Sequence, residues 1–322
     1  MATTRHDRAS DTVLSEHAER LRGAETALAA ASEELRRARA LRDEAIRQAV
    51  EAGLSLRQIG GALGLSAQGV NSALGAAKAA YDTLGQTYAQ TRREDPRIRD
   101  AIWSAIGDAR TVVNVGAGAG NYEPPQTLLA VEPSMVMIAQ RPPELAPAAV
   151  TTAERIPLPD KSVDVALASL TVHHWSNLEA SFAEIRRVAR KVVIFTWDHE
   201  ATRSFWLGDY IPAIFEFDQR IEVPISWLCE TLGTADVRVV PVPHDCTDGF
   251  LGAFWRRPEM YLDPVIRAGI STLSRIDQGA VKAGLELLLE DLQSGAWGAR
   301  YGYLRELEEL DVGYRLVVAE LP

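Results

Sequence analysis

The chain has 322 residues, 47% of them hydrophobic and 24% charged, a soluble globular composition long enough for one large domain and a smaller one. Its net charge of −10 at pH 7 argues against non-specific binding of nucleic acid or anionic membrane by the whole chain. No apolar run reaches the roughly 18 residues of a membrane span and the start lacks the apolar stretch of a secretory leader, so no membrane association and a cytoplasmic protein are expected, and Cys229 and Cys246 stand too far apart to suggest a disulfide framework or a zinc site.

Residues 1–80 carry eleven Lys or Arg against ten Asp or Glu, so the negative balance falls wholly in the remainder, at −11. From Glu16 to Ala80 there is no Phe, Trp or Tyr, and Ala, Arg, Glu and Leu dominate, which predicts an all-α segment. Leu21, Leu28 and Leu35 fall at heptad spacing; Arg42 interrupts the series, and Leu41, Ala45, Ile46, Ala49 and Val50 continue a helical stripe up to Gly53. In LSLRQIGGALGLSAQGVNSAL, Ser55 can cap a helix through Ala62, and Ser66 can cap a second with Val70 and Leu74 inward. This arrangement resembles a helix-turn-helix with Ala62 to Leu65 as the turn. Its second helix, Ala67 to Ala77, has no Lys or Arg, and only Gln68 and Asn71 are suited to reading bases. Packing, pocket closure or a homodimer contact is therefore expected of these helices rather than nucleic-acid binding. A DNA-binding regulator whose second domain senses a ligand stays as the alternative.

Aromatic residues return in YDTLGQTYAQTRREDPRIRDAIW, which places a boundary near residue 80 and a second domain over 81–322. In TVVNVGAGAG the β-branched Val112, Val113 and Val115 read as a buried parallel strand, and Gly116, Gly118 and Gly120 as a turn whose bare backbone admits close approach. The spacing is not Gly-x-Gly-x-x-Gly, because Asn121 stands at the third position, and a nicotinamide cofactor loses support. Leu128-Leu129-Ala130-Val131-Glu132 reads as a second strand ending in an acid sixteen residues after Gly116. Together the turn and the acid point to a nucleoside-containing ligand. AERIPLPDKSVDVALASLTVHHW then carries a strand from Val163 to Ser169, and EIRRVARKVVIFTWD a helix followed by a strand from Val192 to Thr196.

Over 81–322 these motifs resemble a class I S-adenosylmethionine-dependent methyltransferase of the type 11 group. The resemblance implies an α/β fold: a Rossmann-like seven-stranded mixed sheet with helices on both faces, here preceded by the all-α segment. It implies S-adenosylmethionine as cofactor and methyl transfer as the activity. By the same resemblance Tyr88 and Arg92 lie over the methionine end, where Arg can pair with a carboxylate, and Gly116, Ala117, Gly118 and Gly120 lie against the amino acid part. Glu132 takes the ribose hydroxyls; Ala153 and Glu154 lie near the base with Ile156 and Leu158 as walls, and Pro133 and Leu170, the residue just past the fourth strand, are further cofactor-binding positions. The family's Pro-Gly-Gly loop before the fifth strand is missing, so a tighter turn involving Arg190 and Lys191 is expected.

His173 and His174 fall just past the fourth strand, on the carboxyl edge where such sheets keep their sites. An imidazole suits proton removal near pH 7 from a phenol, hydroxyl or ring N–H, so the pair are the candidate bases, with His174 favoured because it precedes Trp175. Asp198 is a candidate orienting carboxylate. His173, His174, Asp198 and His199 match no metal-ligand spacing, and no metal is expected. Residues 200–300 read as an aromatic-rich insertion that would build an acceptor pocket, most of its rings forming core. Within it, HDCTDGFLGAFWRRPEMYLD resembles a stretch recurring in bacterial members of the group, with no role legible in the residues. GYRLVVAEL fits the fold's terminal antiparallel strand. Asp- or Asn-Pro-Pro-Tyr, a Pro-Cys nucleophile and a three-cysteine radical cluster are all missing, so the expected acceptor is a small molecule, an aromatic or heterocyclic specialised metabolite, rather than nucleic acid.

Overall fold

The computed structural model describes residues 92–322, Thr234 excepted, and the single residue Ala62. The chain divides into two units, Met1–Ala76 and Ala77–Pro322. The helical stripe, the helix-turn-helix, a dimer contact through those helices and Tyr88 lie outside the described residues.

Within the second unit a helix spans Pro96–Ile106, begun by Asp95, whose carboxylate accepts from the Arg97 N–H, with Pro96 at the position where a missing N–H costs nothing. The strands are β1 Val112–Val115, β2 Thr127–Val131, β3 Ala148–Ala149, β4 Val163–Ser169, β5 Ala189–Trp197, β6 Ala235–Val239, β7 Val242–Pro243, β8 Glu309–Leu310 and β9 Tyr314–Glu320. Seven of them form one sheet in the order β3-β2-β1-β4-β5-β9-β6, and β7 pairs with β8 apart from it. From β3 to β5 the strands run parallel, and β9 runs antiparallel to both β5 and β6.

Alternation along the strands sorts the core into two layers, because successive side chains point to opposite faces. Val113, Val115, Ala166, Ala168, Val192 and Ile194 face the helix Leu178–Val188 through Phe182, Ile185 and Val188. Val112, Val165, Leu167, Val193 and Phe195 face Ile98, Ile102 and Ile106 on the other side.

Two expectations are corrected. The range 200–300 is not one insertion, for β6 lies inside it. β6 reads ADVRV at the sheet edge with four of its residues exposed, so it lacks the apolar run that marks a central strand. Two segments result, 198–234 and 240–313. Their rings pack into the layer that holds Phe195: Trp206 meets Tyr210, Tyr261 and Trp297 edge-on, with centroids 6.0, 5.6 and 5.5 Å away. Nor do Arg190 and Lys191 form a turn. The helix Leu178–Val188 passes directly into β5, and both residues are strand residues. Lys191 Nζ donates to the carbonyls of Ala105 (2.6 Å) and Ile106 (3.4 Å), closing the end of the first helix. No helix among the described residues is long and apolar enough to cross a membrane.

Candidate functional site

The glycine turn leaves β1 with Gly116 N–H and Ala117 N–H both donating to Val131 O, at 2.8 and 3.0 Å. Gly116 is there for the protein's own packing: its φ is +72°, and a Cβ would stand 1.9 Å from Thr171 Oγ1, on the loop after β4. Gly118, at φ +54°, also needs a left-handed backbone, and its N–H donates to Glu132 Oε2 at 2.9 Å. The other carboxylate oxygen of Glu132 accepts from Ser134 N–H at 2.9 Å. Glu132 is only 7% exposed, and burial raises its pKa. The nearby Arg141 instead serves Glu123 (2.8 and 2.9 Å), which also accepts from Asn114 Nδ2 beneath the turn. An ionised carboxylate offers about four lone-pair sites, and two are used here, so Glu132 retains one on each oxygen. That is the pair of acceptors that the two hydroxyls of a vicinal diol require.

Around the turn the other expected cofactor residues take definite places. Ala117 and Ala153 are buried and Pro133 half-buried. Glu154 does not stand free: its Oε1 accepts from Ser176 N–H (3.1 Å), Ser176 Oγ (2.8 Å) and Asn177 N–H (3.0 Å), tying the loop to the start of the helix Leu178–Val188. Burial would raise its pKa, but hydrogen bonds from Thr152, Ser176 and Asn177 outweigh that and hold it below the usual value. Leu170 has φ +50°, one of three non-glycine residues with positive φ among those described, and its N–H is pinned to Phe195 O at 2.7 Å. Such strain at the end of a strand marks a place where the surroundings over-determine the backbone.

Arg92 is held by the motif that had no legible role. Its Nε donates to Asp248 Oδ1 at 2.6 Å and its Nη2 to Oδ2 at 3.2 Å, and Tyr122, the residue two beyond Gly120, donates its hydroxyl to the same Oδ2 at 2.7 Å. Asp248 is fully buried. The rest of that motif is locked in place: within it Arg257 Nη2 donates to Cys246 O (2.7 Å) and Tyr261 Oη to Leu251 O (2.5 Å), and Trp255 Nε1 donates to Val242 O on β7 (2.9 Å). It is a wall, fixed by its own bonds and by β7, that holds the Arg92 guanidinium through Asp248.

Arg92, Leu170 and His173 line a pocket enclosing about 750 Å³ of empty space, part of it open to solvent. Trp197, Phe205, Phe215, Phe250 and Tyr314 are its aromatic walls, and Thr202, Asp218, Ser271 and Thr272 its other polar groups. Both histidines sit on a short turn, Val172–His174, with their rings 3.7 Å apart, and His173 packs edge-on against Trp197 at 4.4 Å. His173 lines this pocket, and its buried Nδ1 has no hydrogen-bond partner among the described residues; His174, favoured from the sequence, is not among the lining residues. Burial pushes both pKa values down, His174 to about 3 with the Arg275 charge adding to it, so both imidazoles are neutral at physiological pH. Asp198 caps the helix His199–Thr202 by accepting from Glu200 N–H, and among the described residues no group of three or more His, Cys, Asp or Glu is placed to hold a metal.

Sequence reasoning passed over Asp218. It lies on the helix Ala213–Ile221 and shares that helix's buried face with Ile214, one turn earlier. An acid at the phase of an apolar stripe, between Phe217 and Ile221, was the signal available. Asp248 and Thr171 were silent, since each acts on a residue far away in the chain.

A family model described as a methyltransferase domain matches residues 113–195. A solved structure from Anabaena variabilis, described as a methyltransferase from an antibiotic biosynthesis pathway, is 37% identical with a TM-score of 0.67, and the match covers 72% of this chain and 100% of that one. A Thermotoga maritima S-adenosylmethionine-dependent methyltransferase is 19% identical (TM-score 0.41, covering 51% and 84%). A Haemonchus contortus phosphoethanolamine N-methyltransferase, in complex with phosphomonomethylethanolamine and S-adenosylhomocysteine, is 14% identical (TM-score 0.42, covering 78% and 58%). No curated protein matches the chain.

Proposed function

The chain belongs to the S-adenosylmethionine-dependent methyltransferases, and from that premise we propose that it methylates a small-molecule acceptor, an aromatic or heterocyclic specialised metabolite. The observation that carries this reading is the aromatic pocket at the carboxyl edge of the sheet, bounded by Arg92 and by Leu170 and His173 after β4. The Anabaena relative's place in an antibiotic pathway supports an acceptor of this kind.

The residues divide the work as follows. Glu132 accepts the two ribose hydroxyls with its two remaining lone pairs, and the turn from Gly116 to Gly120 offers backbone to the amino acid part. Ala153 borders the base, and Glu154 contributes by fixing the loop that carries it. Tyr88 and Arg92 take the methionine end, with Arg92 oriented by Asp248. When bound, S-adenosylmethionine supplies an electrophilic methyl carbon on a sulfonium. The pocket contributes orientation and exclusion of water, the terms from which a direct transfer gains most. His173, neutral and with an unpartnered nitrogen, is suited to a hydrogen bond with the acceptor. An imidazole whose conjugate acid lies as low as that of His174 is a weak base at pH 7, which favours positioning over proton removal for this pair.

The test is transfer from methyl-labelled S-adenosylmethionine in parallel incubations with a panel of aromatic and heterocyclic small molecules, with DNA and with protein. Label in a small-molecule product is expected. Label confined to DNA or protein would refute the reading.

A further inference from the structure

Asp218 is 4% exposed and lines the pocket, yet the hydrogen bonding of its carboxyl among the described residues is a single long contact from Thr272 Oγ1, at 3.5 Å. No Lys, Arg or His forms an ion pair with it among the described residues. The pocket's own cation, Arg92, is engaged by Asp248, and Arg275 on the neighbouring helix Ser271–Arg275 lies over the Phe217 ring at 5.0 Å. Glu222, one turn beyond Asp218, adds a second negative group to the same end of the structure. A buried carboxyl without a cation is expensive to keep, and an apolar residue in its place would pack at lower cost. It shares the lining of the pocket with five aromatic residues, Trp197, Phe205, Phe215, Phe250 and Tyr314. Aromatic walls around a lone carboxyl suit a cation borne on an apolar body, since the ring quadrupoles and the carboxylate favour the same charge.

Resting on the methyltransferase reading above, we infer that the acceptor is an organic amine whose basic nitrogen sits against Asp218 while its ring or apolar body fills the aromatic walls. Asp218 is then the residue that determines which small molecules enter, and Thr272 steadies its carboxyl. Burial and the Glu222 charge push Asp218 up to about 7, and a cationic guest is the partner that restores its ionised form.

Isothermal titration of the full chain saturated with S-adenosylhomocysteine tests this, using phenethylamine and tryptamine as probes and 2-phenylethanol and 3-phenylpropanoate as neutral and anionic counterparts. The amines are expected to bind in preference to both counterparts, and Asp218→Asn to weaken them roughly 30-fold while S-adenosylhomocysteine binds the variant as it binds the wild type. Cofactor-product binding with no amine binding, with equal binding of 2-phenylethanol, or with amine affinity unchanged in Asp218→Asn would overturn the inference and leave the family assignment standing. Failure of S-adenosylhomocysteine to bind the wild type would overturn the methyltransferase reading and this inference with it.

Discussion

Replacing Glu132 by Gln removes one charge and one acceptor from the place where the fold offers a diol its partners. Each carboxylate oxygen accepts one backbone N–H at 2.9 Å, from Gly118 and from Ser134. A glutamine keeps the shape, but whichever way it is flipped its NH₂ faces one of those N–H groups, donor against donor. Folding should lose about 1–3 kcal/mol, the cost of an unsatisfied buried donor. Cofactor binding suffers separately. A charge-assisted bond contributes about 1.5–3 kcal/mol, so losing it should weaken S-adenosylhomocysteine by roughly 10- to 150-fold. Isothermal titration reads the affinity, and chemical denaturation of the same sample reads the stability. A folded Glu132→Gln variant whose affinity stays within about threefold of wild type would refute the assignment of this acid to the ribose.

Asp248→Asn should destabilise the fold by about 3–5 kcal/mol, because the guanidinium of Arg92 and the Tyr122 hydroxyl both lose a buried anionic partner; denaturant titration checks this, and a loss below about 1 kcal/mol would show that the motif's role lies elsewhere. Asp218→Asn should have the opposite sign and a pH dependence. The folded-state pKa is raised from 3.8 to about 7, so the folded protein keeps a proton that the unfolded chain has released, and wild-type stability falls as pH rises across that window. The advantage of the Asn variant should grow from near zero at pH 4 towards an upper bound of about 4 kcal/mol above pH 7, and an advantage that does not vary with pH would contradict a buried, unpaired carboxyl. Since burial holds His173 and His174 neutral, neither should give a limb to the pH–rate profile, and any limb near 7 should come from Asp218 and disappear in Asp218→Asn. A limb near 6.5 that disappears in His174→Ala would instead make His174 the general base.

The parts of the protein legible in its sequence are those written by neighbouring residues. Val163 to Ser169 is a strand over the bounds its apolar run predicts, and Val112 to Val115 runs into a glycine turn because β-branched residues favour extended backbone and only glycine takes φ of +72° and +54° without strain. The acid at Glu132 follows from a strand length and a turn length, both local quantities, and the structure does bring it to Gly118. What the sequence left open was decided by residues far apart in the chain. β6 has no run of its own and exists because β9 offers it a ladder, and β3 is two alanines recruited by β2. Asp248 meets Arg92 across 156 residues, so neither announces the other. Between two adjacent histidines, only the packing of Trp197 and the surrounding helices determines which ring borders the pocket. Proton affinities follow the same rule: desolvation belongs to a packed environment rather than to a residue type, and so it is the tertiary structure that holds the two imidazoles neutral and raises the carboxyl of Asp218 to about 7.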